Sequence, residues 1–489
     1  MIENNFREHL FQIKACTESG GFWMEDYYKD LSEKFLDMLL SLGVNFADLR
    51  VVELKGLRIE VADGRLKELR FINEKGLAVR CLMAGQWGFT STSILTPMEV
   101  EKACKQAYEL AKSASRRGKE SFQPSCKPAK LSSRVIPIID PSLIDVEEKF
   151  KICNEMERVM RGISNSIKST NSTYFELEEN IYLVNSLGLQ AECSIPSLIV
   201  SATAYASEAG VIQRGHDSHG GTGGFELLKV RNPEDVAQKA SRDAVELLSA
   251  KGPPAGKHTC VLDSELAGVF IHEAFGHACE ADIVLHGGSI LEEMLGKKVG
   301  SEKVTVKDDP TIKGLYGYLP IDCEGISGSG TIIVDKGLLR SYLHNLETSA
   351  LMGTTSTGNA RAQGYSSTPI VRMTNTFIEK GDWKVDELLQ DLKKGVYAQG
   401  SQYGYVDTAE GEFVFKCVKL YVVENGEQKQ LCRDAALSGY TLNVLMNVEA
   451  VANDLSFKPG ICGKDGQLVR VTTGAPHVRV RDVIIGGLA

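Results

Sequence analysis

The chain has 489 residues, of which 43% are hydrophobic and 24% are charged, and its formal net charge is −9. These values are typical of a globular protein with two or three domains. The acidic balance argues against broad nucleic-acid binding, which requires basic surfaces. No apolar run reaches the roughly 18 residues of a membrane-spanning helix, so we expect no membrane span.

Cysteine usage and the N-terminal residues indicate a cytoplasmic protein. The twelve cysteines are scattered without Cys-x-x-Cys pairs, which in a chain of this size is typical of reduced thiols rather than of a disulfide framework. Residues 1–20 carry charged side chains and no apolar core, so they do not resemble a signal peptide.

The first half of the chain alternates helical and strand patterns. Apolar residues recur at helical spacing over residues 26–42 and 146–163. Thr96-Pro97-Met98-Glu99 has the capping threonine and early proline of a helix start. Short runs rich in β-branched residues predict strands within residues 49–92 and 168–205. Helix followed by strands therefore occurs twice, which indicates an internal duplication of pattern.

Two segments rich in turn-forming and charged residues predict the domain boundaries. Residues 113–141 are rich in Ser, Lys, Arg and Pro, and residues 251–257 read Lys-Gly-Pro-Pro-Ala-Gly-Lys. We therefore predict an N-terminal α+β subdomain (1–113), a connector (114–142), a second α+β subdomain (143–250), a linker (251–257) and a C-terminal β-rich domain (258–489).

Residues 214–221 read Arg-Gly-His-Asp-Ser-His-Gly-Gly and allow two interpretations. The pattern is typical of a flexible glycine-rich loop, since histidines three residues apart are a weak metal signal. A metal-binding loop is the alternative.

The second half of the chain predicts a curled antiparallel sheet or a barrel. After a strand at 259–262 and a helix over 264–281, most apolar runs are short and separated by Gly, Asp or Pro. Residues 441–452 fit either a strand or a helix. The predicted fold class is α+β, with helix-then-strands repeats in the N-terminal half and a mainly antiparallel β domain that carries the 264–281 helix.

That helix contains His272-Glu273-Ala274-Phe275-Gly276-His277. Two neutral imidazoles can bind Zn²⁺, and an adjacent glutamate can accept a proton from a water that the metal activates. Positions five apart on a regular α-helix point about 140° away from each other. Both histidines can therefore face one metal only if the helix is distorted, and a single π-type turn would achieve this. Gly276 lies where backbone freedom would help.

This motif and a distant segment, Gly460-Ile461-Cys462-Gly463-Lys464-Asp465-Gly466-Gln467, together resemble the TldD/PmbA metallopeptidases, once named modulators of DNA gyrase. The resemblance is strongest from about residue 255 onward. Stretches between the two motifs also resemble the family: Asp308-Asp309, Asp322-Cys323-Glu324-Gly325, Ser356-Thr357-Gly358-Asn359-Ala360-Arg361 and Arg372-Met373-Thr374-Asn375-Thr376.

The resemblance implies a zinc site with His272, His277 and Cys462 as ligands. Some members of the family lack the His-Glu-x-x-x-His motif, so this chain is similar to the catalytic, TldD-like type. Zn²⁺ lowers the pKa of a bound water to about neutrality. Glu273 would accept the proton of that water as it attacks a peptide carbonyl, and would then pass it to the leaving amine.

The family likeness also bears on substrate and assembly. Asn359 and Arg361 are candidates for binding the substrate main chain or a terminal carboxylate, with a structural ion pair as the alternative. The family forms closed two-subunit particles with the metal in a narrow channel, which implies short or unfolded peptides as substrates. We expect a homodimer or, as the less favoured arrangement, a heterodimer with a relative that lacks the motif.

Several interpretations stay open at the level of sequence. Glu280 and Asp282 are able to orient a ligand imidazole, or to end a helix in solvent. Lys464 would add positive field at Cys462 or lie on the surface. The main functional alternative to a peptidase is a regulatory or binding protein with a structural zinc, and a nucleic-acid-associated modulator would require a basic face.

Overall fold

The structure, a computed structural model, describes residues 26–115 and 122–487. The start of the predicted N-terminal subdomain and part of the connector lie outside these residues. The helices are α1 (Asp26–Ser41), α2 (Pro97–Ser115), α3 (Val146–Gly162), α4 (Leu227–Val230), α5 (Pro233–Glu246), α6 (Ser264–Phe270), α7 (Ala281–Leu285), α8 (Leu346–Leu351), α9 (Val385–Gln390) and α10 (Thr441–Met446).

The strands of the N-terminal half are β1 (Phe46–Ala62), β2 (Arg65–Met83), β3 (Gln86–Thr92), β4 (Ala129–Arg134), β5 (Ile167–Asn185), β6 (Leu189–Glu208) and β7 (Val211–Thr222). The strands of the C-terminal half are β8 (Gly256–Leu262), β9 (Val306–Asp308), β10 (Thr331–Asp335), β11 (Leu338–Leu339), β12 (Ala360–Arg361), β13 (Ile370–Val371), β14 (Asn375–Ile378), β15 (Lys394–Val406), β16 (Glu412–Glu424), β17 (Glu427–Cys432), β18 (Ala435–Tyr440), β19 (Val448–Val451), β20 (Ser456–Lys464), β21 (Gln467–Ala475) and β22 (Val478–Gly487).

The strands of both predicted N-terminal subdomains belong to one sheet of order β3-β2-β1-β5-β6-β4, with β7 also paired to β6. The antiparallel pair β1 and β5 joins the two halves. One apolar cluster packs α1 and α2 against one part of the sheet, and another packs α3 and α5 against the rest. The element orders α1-β1-β2-β3-α2 and α3-β5-β6-β7-α4-α5 repeat the helix-then-strands pattern that the sequence indicates.

Strand β1 runs without a break through Lys55-Gly56. Gly56 pairs with Leu177 of β5 in an uninterrupted register, and a Cβ at Gly56 would collide with the Glu176 carbonyl. This glycine therefore allows a close strand contact and does not end the strand.

The predicted glycine-rich loop at 214–221 is wrong, because these residues lie in β7. A Cβ at Gly215 would collide with the Ala240 carbonyl of α5, so the glycine permits a helix to lie directly on the strand. His219 is buried against the Leu227 carbonyl, with Nε2 at 3.0 Å, and His216 Nδ1 lies 2.9 Å from Thr203 Oγ1. The two histidines are structural in this conformation.

The C-terminal half contains the predicted barrel. Strands β15, β8, β22, β18 and β16 pair in that order, and β16 pairs back to β15, which closes five strands. The pair of β8 and β15 is parallel, so the barrel departs from a purely antiparallel arrangement. Residues 441–452, for which the sequence allows a strand or a helix, form helix α10 followed by strand β19.

A second sheet, β11-β10-β9-β14-β21-β20, lies beside the barrel and ends at β20. Loop residues of the C-terminal half cover the face of the N-terminal sheet opposite the helices, where apolar clusters combine residues of β1, β5 and β6 with Leu319, Ile321, Cys323 and Ala362. Buried Arg80 adds an ion pair with Glu324 across this contact, at 2.8 Å.

Two further findings concern the linker and the membrane. The predicted linker 251–257 is tied to the barrel, because Lys251 bridges to Cys432 and β8 begins at Gly256. Within residues 26–115 and 122–487, no helix has the length and apolar character needed to cross a membrane.

Candidate metal centre

The helix that carries the two histidines is distorted as predicted. The Asp263 carboxylate caps α6 by accepting the Leu266 N–H at 2.8 Å. The chain then forms a π-helical turn over Ile271–Gly276, in which the His277 N–H donates to the His272 carbonyl. This five-residue hydrogen bond brings both imidazoles to one side, with ring centroids 5.4 Å apart. The predicted π-type turn is confirmed.

Gly276 serves a different purpose from the expected one. Its φ of −61° is ordinary helical backbone, so conformational freedom is not required. A Cβ there would collide with the Met373 sulfur. The glycine is therefore needed for space between the π turn and the segment that precedes β14.

We predict that Gly276→Ala weakens the site without unfolding the protein. The added methyl must displace Met373 or the turn, and overpacking of this kind typically costs about 1–3 kcal/mol. Zinc affinity should fall together with the unfolding temperature. Gly162→Ala is the control, because Gly162 is also a helical residue and an added Cβ there would meet nothing within 4 Å. Equal loss of zinc affinity in both variants would contradict the packing explanation.

Cys462 reaches the histidines from the edge of the second sheet. It lies in β20, which forms a hairpin with β21 through a tight turn at Asp465 and Gly466, both with positive φ. Added Cβ atoms at the flanking Gly460 and Gly463 would make only ordinary contacts, at 3.7 and 3.4 Å. The strand is regular at both glycines, since its register with β21 is unbroken from Ser456 to Lys464.

The three predicted ligands converge. One ligand atom from each of His272, His277 and Cys462 lies within 4.8 Å of the others, and Cys462 Sγ is 3.3 Å from His277 Nε2. His272 is 1% exposed, yet neither of its ring nitrogens has a hydrogen-bond partner among the described residues. A buried imidazole without a partner is costly, and a metal ion would satisfy it. Two imidazoles and a thiol form a donor set that suits Zn²⁺ with an open fourth position.

Glu280 fixes the orientation of His277. Its Oε2 lies 3.0 Å from His277 Nδ1, which leaves Nε2 directed toward Cys462. Glu280 is fully buried, and burial would raise its pKa, but His277 and Lys464 lower the pKa to about 2. The interpretation of Glu280 as a residue that orients a ligand is thus supported by the geometry.

Lys464 is neither a surface residue nor a partner of the thiol. Its ammonium lies 3.1 Å from Glu280 and 2.7 Å from Asp282, and it also donates to the Val371 carbonyl at 3.0 Å. Asp282 therefore contacts Lys464 and not a ligand imidazole. Because Lys464 follows Cys462 on β20, this ion pair ties the strand of the cysteine to the helix of the histidines.

The environment of Cys462 favours its thiolate. Burial opposes ionisation, but interactions with His272 and His277 lower the pKa of the thiol to about 5. Arg372 holds the backbone on the same strand, since Nη2 donates to the Cys462 carbonyl at 2.6 Å. A thiolate is the form of cysteine that binds metal.

Glu273 lies at the open side of the cluster. Its side chain is 42% exposed, and Oε2 lies 3.8 Å from His277 Nε2. It contacts the ligand group without belonging to it, which is the position that a proton acceptor beside a metal requires.

Asn359 and Arg361 lie in the interior, away from an open substrate surface. Asn359 is 1% exposed and donates to Asp308 at 2.9 Å and to the Arg372 carbonyl at 3.0 Å. Arg361 is 5% exposed and donates to the Met373 carbonyl at 2.7 Å. In this conformation Asn359 organises the chain behind the metal cluster. Arg361 has no carboxylate within ion-pair distance among the described residues, so the alternative of a structural ion pair does not apply to it.

Sequence reasoning missed the polar support behind the site. Buried Asp308 accepts hydrogen bonds from Asn359, the Thr374 backbone and hydroxyl, and the Thr376 hydroxyl. Arg372, also buried, holds the Cys462 and Gln467 carbonyls. In the sequence, these residues are marked only by their place in stretches that resemble the family, because a charged residue is otherwise expected to be exposed to solvent.

Comparison with known proteins gives consistent matches along the chain. Family models described as PmbA/TldA metallopeptidase domain 1, central domain and C-terminal domain match residues 47–111, 139–248 and 255–487. A metalloprotease of Methanocaldococcus jannaschii is 41% identical over 91% of this chain and 97% of its own length. A zinc metalloprotease TldD homologue of Saccharolobus solfataricus is 28% identical over 93% of this chain and 99% of its own.

The fold also matches a solved structure. TldE from Thermococcus kodakarensis superposes with a TM-score of 0.75, covering 94% of this chain and all of that one, at 15% identity. At this identity the likeness concerns the fold alone.

Proposed function

The chain belongs to the PmbA/TldD metallopeptidase family, and from this premise we propose that it is a zinc-dependent peptidase acting on short or unfolded peptides. His272, His277 and Cys462 are the proposed ligands, and Glu273 is the proposed general base. The observation that carries the proposal is the buried His272 imidazole without a hydrogen-bond partner among the described residues, close to His277 and Cys462.

The proposed chemistry divides between the ion and the side chains. Bound zinc would supply a Lewis acid that activates a water and polarises the peptide carbonyl. Glu273 then accepts the proton of the attacking water and delivers it to the leaving amine. Glu280 keeps the His277 ring in place throughout, because its carboxylate accepts a hydrogen bond from the Nδ1–H of the ring.

The edge of β20 supports an extended peptide as substrate. This strand is the last of its sheet, and Lys464 pairs with Gln467 across the two-residue turn. In such a hairpin the alternate residues Ile461 and Gly463 direct their backbone groups away from β21. Both are exposed, and Pro459, which lacks a donor, fits the same free edge. A peptide added there as a strand would pass beside Cys462, whereas a folded protein would not offer a free strand.

The proposal is tested on one purified sample. Zinc content by mass spectrometry and cleavage of an unfolded peptide are measured together, with the folded parent protein of that peptide as the resisting substrate. Stoichiometric zinc with no cleavage would favour a structural zinc in a binding protein instead.

We predict that Lys464→Met lowers zinc affinity by about 10–100-fold, the range typical of residues that orient metal ligands. The substitution removes the cation between Glu280 and Asp282. The strand that carries Cys462 is then no longer held by an ion pair to the segment that follows the two histidines. Lys458→Met is a matched control, since Lys458 lies on the same strand and pairs with Asp217 at 2.8 Å. A chelator competition that gives equal zinc affinity for Lys464→Met and wild type would contradict this role.

We also propose that the subunits pair, as a homodimer or with a relative that lacks the motif. For the homodimer, static light scattering on dilute protein should give twice the mass of the chain. A monomer that cleaves peptides at full rate would contradict the pairing. Binding of nucleic acid is not part of the proposed function, in keeping with the net charge of −9.

A further inference from the structure

A small cavity of about 60 Å³ lies where the N-terminal sheet meets the β20–β21 hairpin. Its walls combine residues of both halves of the chain, among them Leu54 and Glu179 on one side and Arg361, Leu468 and Arg470 on the other. Leu468 is 56% exposed, so the hairpin side of the cavity lies close to the protein surface. This volume holds a few water-sized groups and excludes a peptide side chain of ordinary size.

The cavity wall carries more positive than negative charge. Arg470 is paired with Glu179 at 3.1 Å. Arg361 is only 5% exposed, and no carboxylate lies within ion-pair distance of it among the described residues. Its one hydrogen bond to a described acceptor runs from Nη1 to the Met373 carbonyl.

The unpaired guanidinium is costly in this position. Burial, with Arg470 and Arg372 nearby, lowers the pKa of Arg361 to about 10, so the group stays charged at neutral pH. A buried cation without a counter-charge is strongly unfavourable, and guanidinium N–H groups not used by Met373 are available for an acceptor.

We propose that this cavity is a binding site for one small monovalent anion, of the size of chloride or formate, held between Arg361 and Arg470. Glu179 is paired with Arg470, so the anion supplies the negative counter-charge that Arg361 lacks. Because Val469 lines the cavity and pairs with Cys462 across the hairpin, the bound anion also steadies the strand that carries the cysteine. The site does not depend on the proposed peptidase activity.

Bromide locates the site directly. Crystals of the full chain grown without halide and soaked in sodium bromide should show one anomalous peak in this cavity. Thermal unfolding at constant ionic strength should then shift upward and saturate as gluconate, which is too large for the cavity, is replaced by chloride or by formate. A response to formate alone assigns the site to carboxylates, and a response to chloride assigns it to small anions in general.

Variants test the role of Arg361. Arg361→Met should lose both the bromide peak and the anion-dependent shift. Arg361→Lys keeps the cation and should retain a reduced shift. Arg50→Met is the control, because Arg50 is also buried but donates to the Gly364 and Ser367 carbonyls and does not line the cavity. Absence of a bromide peak from the cavity in wild-type crystals would overturn the proposal without any variant. An unchanged bromide peak in crystals of Arg361→Met would overturn it as well.

Discussion

Glu273→Gln is expected to keep zinc and fold but to lose peptidase activity by about 10²–10⁴-fold, the usual contribution of a general acid–base group. Glutamine preserves size and hydrogen-bonding shape, and removes the basic carboxylate. The half-exposed Glu273 is not among the three converging ligand atoms, so the metal should remain bound. Zinc content, circular dichroism and peptide turnover are measured on the same preparation.

Glu292→Gln is the matched control for this variant. Glu292 is an exposed glutamate in the turns that follow α7, so its substitution changes the net charge equally and should leave turnover unchanged. Wild-type turnover by Glu273→Gln would remove Glu273 from the mechanism and assign the general base to another group. Loss of zinc in Glu273→Gln would instead indicate that this glutamate helps to hold the ion.

The metal-binding motif was the most predictable part of the site, because its requirement is local. Histidines five positions apart cannot serve one metal on a regular helix, and the π turn over Ile271–Gly276 follows from that constraint. The pairing of the histidines with Cys462 came from family resemblance. The cysteine is 185 residues away from His277 along the chain, and no local pattern encodes such a contact.

The wrong prediction of a loop at residues 214–221 has a physical cause. Its glycines were taken as a sign of flexibility, whereas Gly215, Gly220 and Gly221 permit neighbouring backbone to approach the strand. A single sequence shows that a glycine has no side chain, but it does not show which neighbouring group fills the space beside its Cα. Closure of the barrel by β15 and β16 is equally invisible, since it depends on pairings between distant strands.

Charge in the interior was the least predictable feature. Arg361 and Lys464 read as surface or substrate-facing residues, because such side chains are rarely buried without partners. In the structure the Lys464 side chain is 10% exposed and lies between two carboxylates, and Arg361 has a carbonyl partner and a cavity. Such positions are set by the tertiary neighbours that satisfy the charge, and the neighbours come from separate parts of the chain.

Removal of any proposed ligand is expected to lower zinc affinity by more than the 10–100-fold typical of residues outside the ligand set. His272→Ala, His277→Ala and Cys462→Ser each delete one donor from a three-donor site. Serine in particular does not supply a thiolate at neutral pH. Zinc affinity is measured by chelator competition, and cobalt substitution gives an independent readout, because a thiolate ligand produces a charge-transfer band that Cys462→Ser should lack.

Cys279→Ser provides the control for these ligand variants. Cys279 is fully buried near the same helix, and burial raises the pKa of its thiol well above the ordinary value, so it should remain a neutral thiol. Its substitution should lower stability by creating a buried hydroxyl while zinc affinity and the cobalt band persist. Wild-type zinc affinity in Cys462→Ser, together with its loss in Cys279→Ser, would show that the third ligand had been assigned to the wrong cysteine. The approach of β20 to the two histidines would then have to be explained by packing alone.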